Sequence, residues 1–283
     1  MMHDHRQKGK GFFVNRTLPG FRLTLGITLI YLSVMLLIPL AACLWKVTQL
    51  GPAAFWAAVW TSRARSAYFL TFSASFISAA VTSLLGLLIA WVLVRYEWPG
   101  KRVVDSLVDL PLALPTAVAG LAYSALYVQN GWFGRFLVPL GIHGTYSRLG
   151  IVLVLIFIGL PFAVRAVQPV LESMEADAEE AATLLGASRW QTFWRVILPT
   201  LKPALITGFA LSFARAIGEY GSVVFVSSNK QGETEIAPML IVSKLEQNSY
   251  AEATAIALVL LAMSFGMLAL INVLERRSRR HYA

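Results

Sequence analysis

A single cysteine, Cys43, rules out an internal disulfide and any cysteine-built metal cluster. Histidine is nearly as scarce, and His143 has no ligand-spaced neighbour. The sequence holds no Gly-x-x-x-x-Gly-Lys-Ser/Thr phosphate loop, no His-Glu-x-x-His and no Gly-x-Ser-x-Gly. Nothing assembles a nucleophile with a base, so no catalytic or metal site is expected on this chain. Charge is the largest deficit. Only 14% of the 283 residues are charged and 57% are hydrophobic, whereas a soluble domain is about 25% charged. A soluble surface would need far more charge than this.

What the sequence does contain is long apolar runs. They cover roughly 23–45, 67–94, 104–128, 149–171, 201–227 and 250–274. Each is long enough to cross a hydrocarbon core of about 30 Å at 1.5 Å per helical residue. None alternates polar and apolar as a barrel strand would. The expected fold is therefore an all-α polytopic membrane protein of six transmembrane helices. The basic stretch before the first run resembles a signal peptide, but the run is too long and lacks a small-residue cleavage site, so a retained span is expected.

The remaining charge is distributed unevenly. With the amino terminus inside, 15 of the 24 Lys and Arg fall on the cytoplasmic side and 7 on the other. The inner set comprises Arg6, Lys8, Lys10, Arg16 and Arg22, then Arg95, Lys101 and Arg102, then Arg189, Arg195 and Lys202, and finally Arg276, Arg277, Arg279 and Arg280. The outer set includes Arg63, Arg65, Arg135 and Arg148. Positive charge stays inside, so both termini are expected in the cytoplasm. The formal charge of +9 then reports topology and membrane lipid contact, with no nucleic-acid partner.

The connection from Glu172 to Pro199 is the most informative segment. Ala176, Ala178, Ala181, Ala182, Leu184 and Leu185 favour helix, and Gly186 suits a stop. Glu175, Asp177 and Glu179 lie near the start, where the helix dipole favours acids. Ser188 and Gln191 form a capping-box pair. Trp190, Phe193, Trp194 and Ile197 then recur on one helical face, and Leu198-Pro199 is expected to end the element. Two short helices at the cytoplasmic surface follow, either docking a partner or lying on lipid as a linker.

Within the spans, Arg215 and Glu219 share a helical face at mid-membrane depth. Gly218 and Gly221 weaken the helix beside them. Arg215 is either a substrate or gate residue or the partner in a structural ion pair. Arg165 is expected to snorkel to the interface. Pro111 and Pro115 break the third run, with Thr116 beside them to serve freed carbonyls; this is either a bent pathway-lining helix or a packing kink. Gly86 and Gly120 are packing candidates.

Glu180-Ala181-Ala182, then Gly186, Val196, Leu198 and Pro199 at the motif spacing, resemble the coupling loop of binding-protein-dependent ABC importer permeases. The sole departure is Val196 in place of Ile. Trp98-Pro-Gly100, the stretch 109–120 and Phe213 to Phe225 narrow the resemblance to the sulfate/thiosulfate permease family (CysT type), with molybdate/tungstate permeases a close alternative and a gradient-driven anion transporter a remoter one. The resemblance implies a type I (MetI-like) permease fold with a coupling region of short cytoplasmic helices. Residues 1–66 would form the arm, first helix and periplasmic loop, 67–274 the transmembrane core and 275–283 the basic tail. It implies that Glu180, Ala181, Ala182, Gly186, Val196, Leu198 and Pro199 dock the ATPase. Pro111, Pro115, Thr116, Ser212, Arg215, Gly218 and Glu219 would line or gate the pathway. The implied partners are a CysW-type second permease, two CysA-type ATPase subunits carrying ATP and Mg2+, and a periplasmic sulfate- or thiosulfate-binding protein. No cofactor is expected on this chain.

Overall fold

The structure, a computed structural model, describes residues 21–174 and 177–280, with side chains for all of these except Arg22 and 274–280. Arg6, Lys8, Lys10 and Arg16 of the arm, and Glu175 and Ala176 of the connection, lie outside the described residues. The tail arginines are described in backbone only. Every regular element among the described residues is helical.

Two units divide the chain, Met1–Gln49 and Leu50–Ala283. In the first, α1 (Phe21–Leu32) runs through a π-helical turn, Ser33–Leu37, into α2 (Ile38–Thr48). The whole is apolar around its circumference, as a helix bathed in lipid or packed among other helices must be.

The second unit begins with α3 (Pro52–Val59) and the 34-residue α4 (Ser62–Arg95), whose first turn is capped by the Thr61 hydroxyl accepting from the Ala64 N–H. There follow α5 (Lys101–Val108), α6 (Leu110–Ala113), α7 (Thr116–Tyr127) and α8 (Gly134–Leu137). Next come α9 (Arg148–Ser173), α10 (Asp177–Leu184), α11 (Arg189–Thr192) and α12 (Leu198–Ile217). Last are α13 (Val223–Val226), α14 (Ala237–Glu246) and α15 (Tyr250–Arg280).

The core is where α4, α9 and α12 pack together. Lipid gives apolar side chains no reason to leave it, so helices associate through close backbone approach and small residues. Ala67, Ala74, Ala79, Gly86 and Ala90 are buried along α4. Ala163 of α9 sits between two glycines: a Cβ on Gly86 would lie 2.6 Å from its Cβ, and one on Gly208 would lie 3.1 Å from its Cα. The hydroxyls buried here serve backbone groups. Thr71 donates to the Ala67 carbonyl at 2.7 Å and accepts from the Ala237 N–H at 2.8 Å, capping α14, whose own N-cap, Ile236, offers no side-chain acceptor.

Among the described residues, five helical segments are long and apolar enough to cross a membrane: Leu23–Thr48, Ser62–Arg95, Arg148–Ser173, Arg189–Ile217 and Tyr250–Val273. Two expectations are modified. The third run is no single helix. Leu114 adopts an extended ψ of 135° before Pro115, because a residue preceding proline is pushed out of the helical region. Helix resumes at Thr116. In the other case Leu198-Pro199 does not end the second coupling helix. α11 passes through a π-helical turn, Phe193–Ile197, directly into α12. Pro199 falls in the first turn of the renewed α-helix, where its missing N–H and fixed φ are tolerated.

Candidate functional site

The connection between α9 and α12 folds as an exposed elbow. α10 ends in a Schellman motif: Ala187 N–H bonds the Ala182 carbonyl at 3.0 Å, and Gly186 N–H bonds the Thr183 carbonyl at 2.9 Å. Gly186 has φ +82°, a conformation that a Cβ penalises. α11 opens with the reciprocal capping box, Ser188 N–H to Gln191 Oε1 at 2.8 Å and Gln191 N–H to Ser188 Oγ at 3.3 Å. Glu180, Ala181 and Gly186 are exposed and Ala182 is partly so. At the tip stand Leu184 and Leu185, each 89% exposed. Their apolar character within a charged connection sets them apart, a signal that helix propensity alone does not carry. Val196, Leu198 and Pro199 are partly buried where the elbow meets α12.

The elbow is fastened to the spans. Arg95, at the end of α4, pairs with Glu179 of α10. The same guanidinium lies 5.4 Å from the centroid of the Trp91 ring, and Trp91 meets Phe193 edge-on at 5.8 Å. The expected apolar face therefore divides: Phe193 and Ile197 turn inward, while Trp190 and Trp194 stay exposed.

A second constellation unites the third and fifth runs. α12 stops at Gly218, and residues 219–222 turn the chain into α13. Glu219 is buried. One carboxylate oxygen takes Nη1 of Arg215 at 2.5 Å, and the other accepts the Ser222 N–H and hydroxyl, each at 2.9 Å. The carboxylate thus closes the turn and neutralises the arginine, which is the ion-pair arrangement. α7 packs on this turn. A Cβ on Gly120 would fall 2.6 Å from the Cα of Ser222, and one on Gly221 would fall 3.2 Å from the Cβ of Thr116. Thr116, Gly120, Arg215, Gly218, Glu219 and the 221–222 turn are therefore neighbours, with Pro115 as the N-cap residue of α7. Pro111 is buried in α6, which packs on α9. Ser212 lies away from the turn, its buried hydroxyl donating to the Gly159 carbonyl of α9 at 3.1 Å.

Arg165 does more than snorkel. Its Nε and Nη2 hold Asp109 at 3.0 and 2.6 Å, and Nη1 holds Asp105 at 2.6 Å. Nη2 also donates to the Asp105 carbonyl at 2.9 Å. One planar fork thereby ties α5 and α6 to α9. The carboxylates lie 60 and 56 residues away in sequence, so spacing could not reveal the pair. Among the described residues no three His, Cys, Asp or Glu side chains gather as metal ligands.

Residues 82–280 match the family described as the binding-protein-dependent transport system inner membrane component. The chain is 50% identical over 255 residues to a sulfate transport system permease protein CysT of Synechocystis sp., covering 90% of this chain and 89% of that one. It is 44% identical over 265 residues to the CysT protein of Escherichia coli, covering 94% and 96%. Among solved structures, a bacterial ABC transporter involved in import of the acidic polysaccharide alginate shares the fold. There the TM-score is 0.74 and the identity 18%, over 90% of this chain and 94% of that one.

Proposed function

Because the chain belongs to the family of binding-protein-dependent transport system inner membrane components, we propose that it is the permease subunit of an ATP-driven importer of sulfate or thiosulfate, working by alternating access in a bacterial inner membrane. Its relatives are named as sulfate permeases at 44–50% identity, which supports that substrate class over molybdate. The chain carries no catalysis of its own.

The observation that carries this reading is the elbow. A capped pair of short helices bears Glu180-Ala-Ala and Gly186, exposes Leu184 and Leu185, and grips α4 and α12 from below. A partner that seats on the tip and moves would drag both spans. That partner is a CysA-type ATPase, two copies of which bind ATP and Mg2+. A CysW-type permease supplies the other half of the passage, and a periplasmic sulfate- or thiosulfate-binding protein delivers the anion. In this reading the segment from α5 to α7 makes a sixth crossing in a MetI-like core over 67–274, with both termini cytoplasmic. The proline break and the Glu219 turn lie along the route, where discontinuous helices place backbone groups in a polar passage.

The test is uptake of labelled sulfate, thiosulfate and molybdate by the complete assembly in vesicles. Sulfate or thiosulfate uptake that requires ATP and the binding protein is expected. Uptake driven by an ion gradient without ATP would overturn the importer class, and a preference for molybdate would overturn the substrate.

A further inference from the structure

Where α4 and α9 begin, a cavity of about 440 Å³ is lined by Ser62, Arg65, Ser66, Ser73, Arg148 and Gly232, with apolar residues making up the rest. No carboxylate lines it. The nearby acids are occupied elsewhere: Glu235 is held by Arg63 at 2.6 Å, and Glu233 by Lys230 at 2.7 Å. Arg65 and Arg148 have no carboxylate partner among the described residues. Arg148 is fixed in place, donating from Nε to the Glu233 carbonyl and from Nη2 to the Gly232 carbonyl, both at 2.9 Å. Its Nη1, whose direction the planar guanidinium fixes, has no hydrogen-bond partner among the described residues. Ser62, Ser66 and Ser73 recur at helical spacing on one face of α4, below Thr61, so their side chains look the same way as Arg65. The helices that start here, 34 and 26 residues long, add the positive ends of two dipoles. The lining offers cations, hydroxyls and helix starts, and no carboxylate.

We propose that this cavity is a loading site for a free tetrahedral oxyanion of the sulfate class, on the side that the charge asymmetry assigns to the exterior. The inference rests on the reading of the chain as an oxyanion permease and deepens it. Its open shape and rim position suit a hydrated dianion held briefly between the binding protein and the passage. A basic funnel of this kind raises the local concentration of its ion.

The test uses the complete importer with Ser62→Cys in a Cys43→Ser background, reading modification of this chain by an anionic and a cationic thiosulfonate reagent, each normalised to a free thiol. The anionic reagent is expected to react about tenfold faster. Sulfate at fixed ionic strength should slow it several-fold where chloride does not. Arg65→Gln should abolish both effects, and Arg65→Lys should retain the preference for the anionic reagent. Equal rates, indifference to sulfate, or an unchanged Arg65→Gln would overturn the proposal. A lipid phosphate offers the same chemistry, so the measurement is repeated in lipid-depleted detergent and in phosphatidylglycerol nanodiscs. Protection by the lipid alone would also overturn it. ATP-dependent sulfate uptake by the unmodified assembly is measured in parallel: normal uptake with a negative labelling result rejects the loading site, whereas absent uptake rejects the importer reading.

Discussion

Glu219 is held by three donors and is almost completely buried, with 2% of its side chain exposed, while about a third of the Arg215 side chain is exposed. Removing the carboxylate strands a buried N–H on Ser222 and releases the arginine. Glu219→Ala should therefore destabilise the permease by about 3 kcal/mol. Glu219→Gln retains an acceptor for Ser222 and should lose less. Thermal unfolding of the purified complex checks this order, and a glutamine variant less stable than the alanine one would contradict it. Arg165 behaves differently, because Asp105 and Asp109 are 40% and 45% exposed and water can replace part of what is lost. Lysine offers one point charge where the guanidinium offers a fork. Arg165→Lys should cost only about 1 kcal/mol, read as a lowered unfolding midpoint, with Arg165→Met lower still.

The elbow can be tested at the scale of an element because its glycine separates folding from docking. Gly186 needs a left-handed backbone, yet a Cβ there meets nothing of this chain within 4 Å. Gly186→Ala and Gly186→Trp should thus share a conformational cost of about 1 kcal/mol. Only tryptophan should block the partner surface. Its unfolding midpoint should fall close to that of the alanine variant while the ATPase no longer co-purifies; retention of the ATPase at normal occupancy would refute the docking role. The elements that were legible in the sequence have local causes. Gly186 stops α10 and Ser188 with Gln191 starts α11, all within a few residues. The long apolar runs of α4, α9 and α15 read directly as spans. Non-local decisions were hidden. Pro115 severs the third run through the backbone of Leu114, whereas Pro199, an equally strong breaker by composition, is absorbed by a π-helical turn. Arg165 found its partners in a segment that reads only as the edge of a span, and Arg63 pairs with a glutamate 172 residues away.

In the whole molecule, an importer subunit must convert motion at the cytoplasmic surface into motion of the spans, and the link between the two is thin. The elbow touches α4 at two places: Glu179 of α10 pairs with Arg95, each about a quarter exposed, and Phe193, in the π-helical turn after α11, meets Trp91. A partly exposed pair of this kind contributes about 1 kcal/mol to static stability, so its loss should change unfolding only modestly. The effect to look for is on transmission. If ATPase movement reaches α4 through this pair, Glu179→Arg should leave ATP hydrolysis by the assembled importer near normal and reduce sulfate uptake several-fold. Restoring the pair in the opposite sense, with Arg95→Glu added, should recover uptake, because the geometry needs opposite charges and is indifferent to which helix carries which. A pair that merely decorates the surface would show no such recovery, and hydrolysis and uptake would fall or persist together. The ratio of anions moved to ATP consumed is therefore the quantity that decides whether the elbow drives the bundle through α4 or through its continuous join to α12 alone.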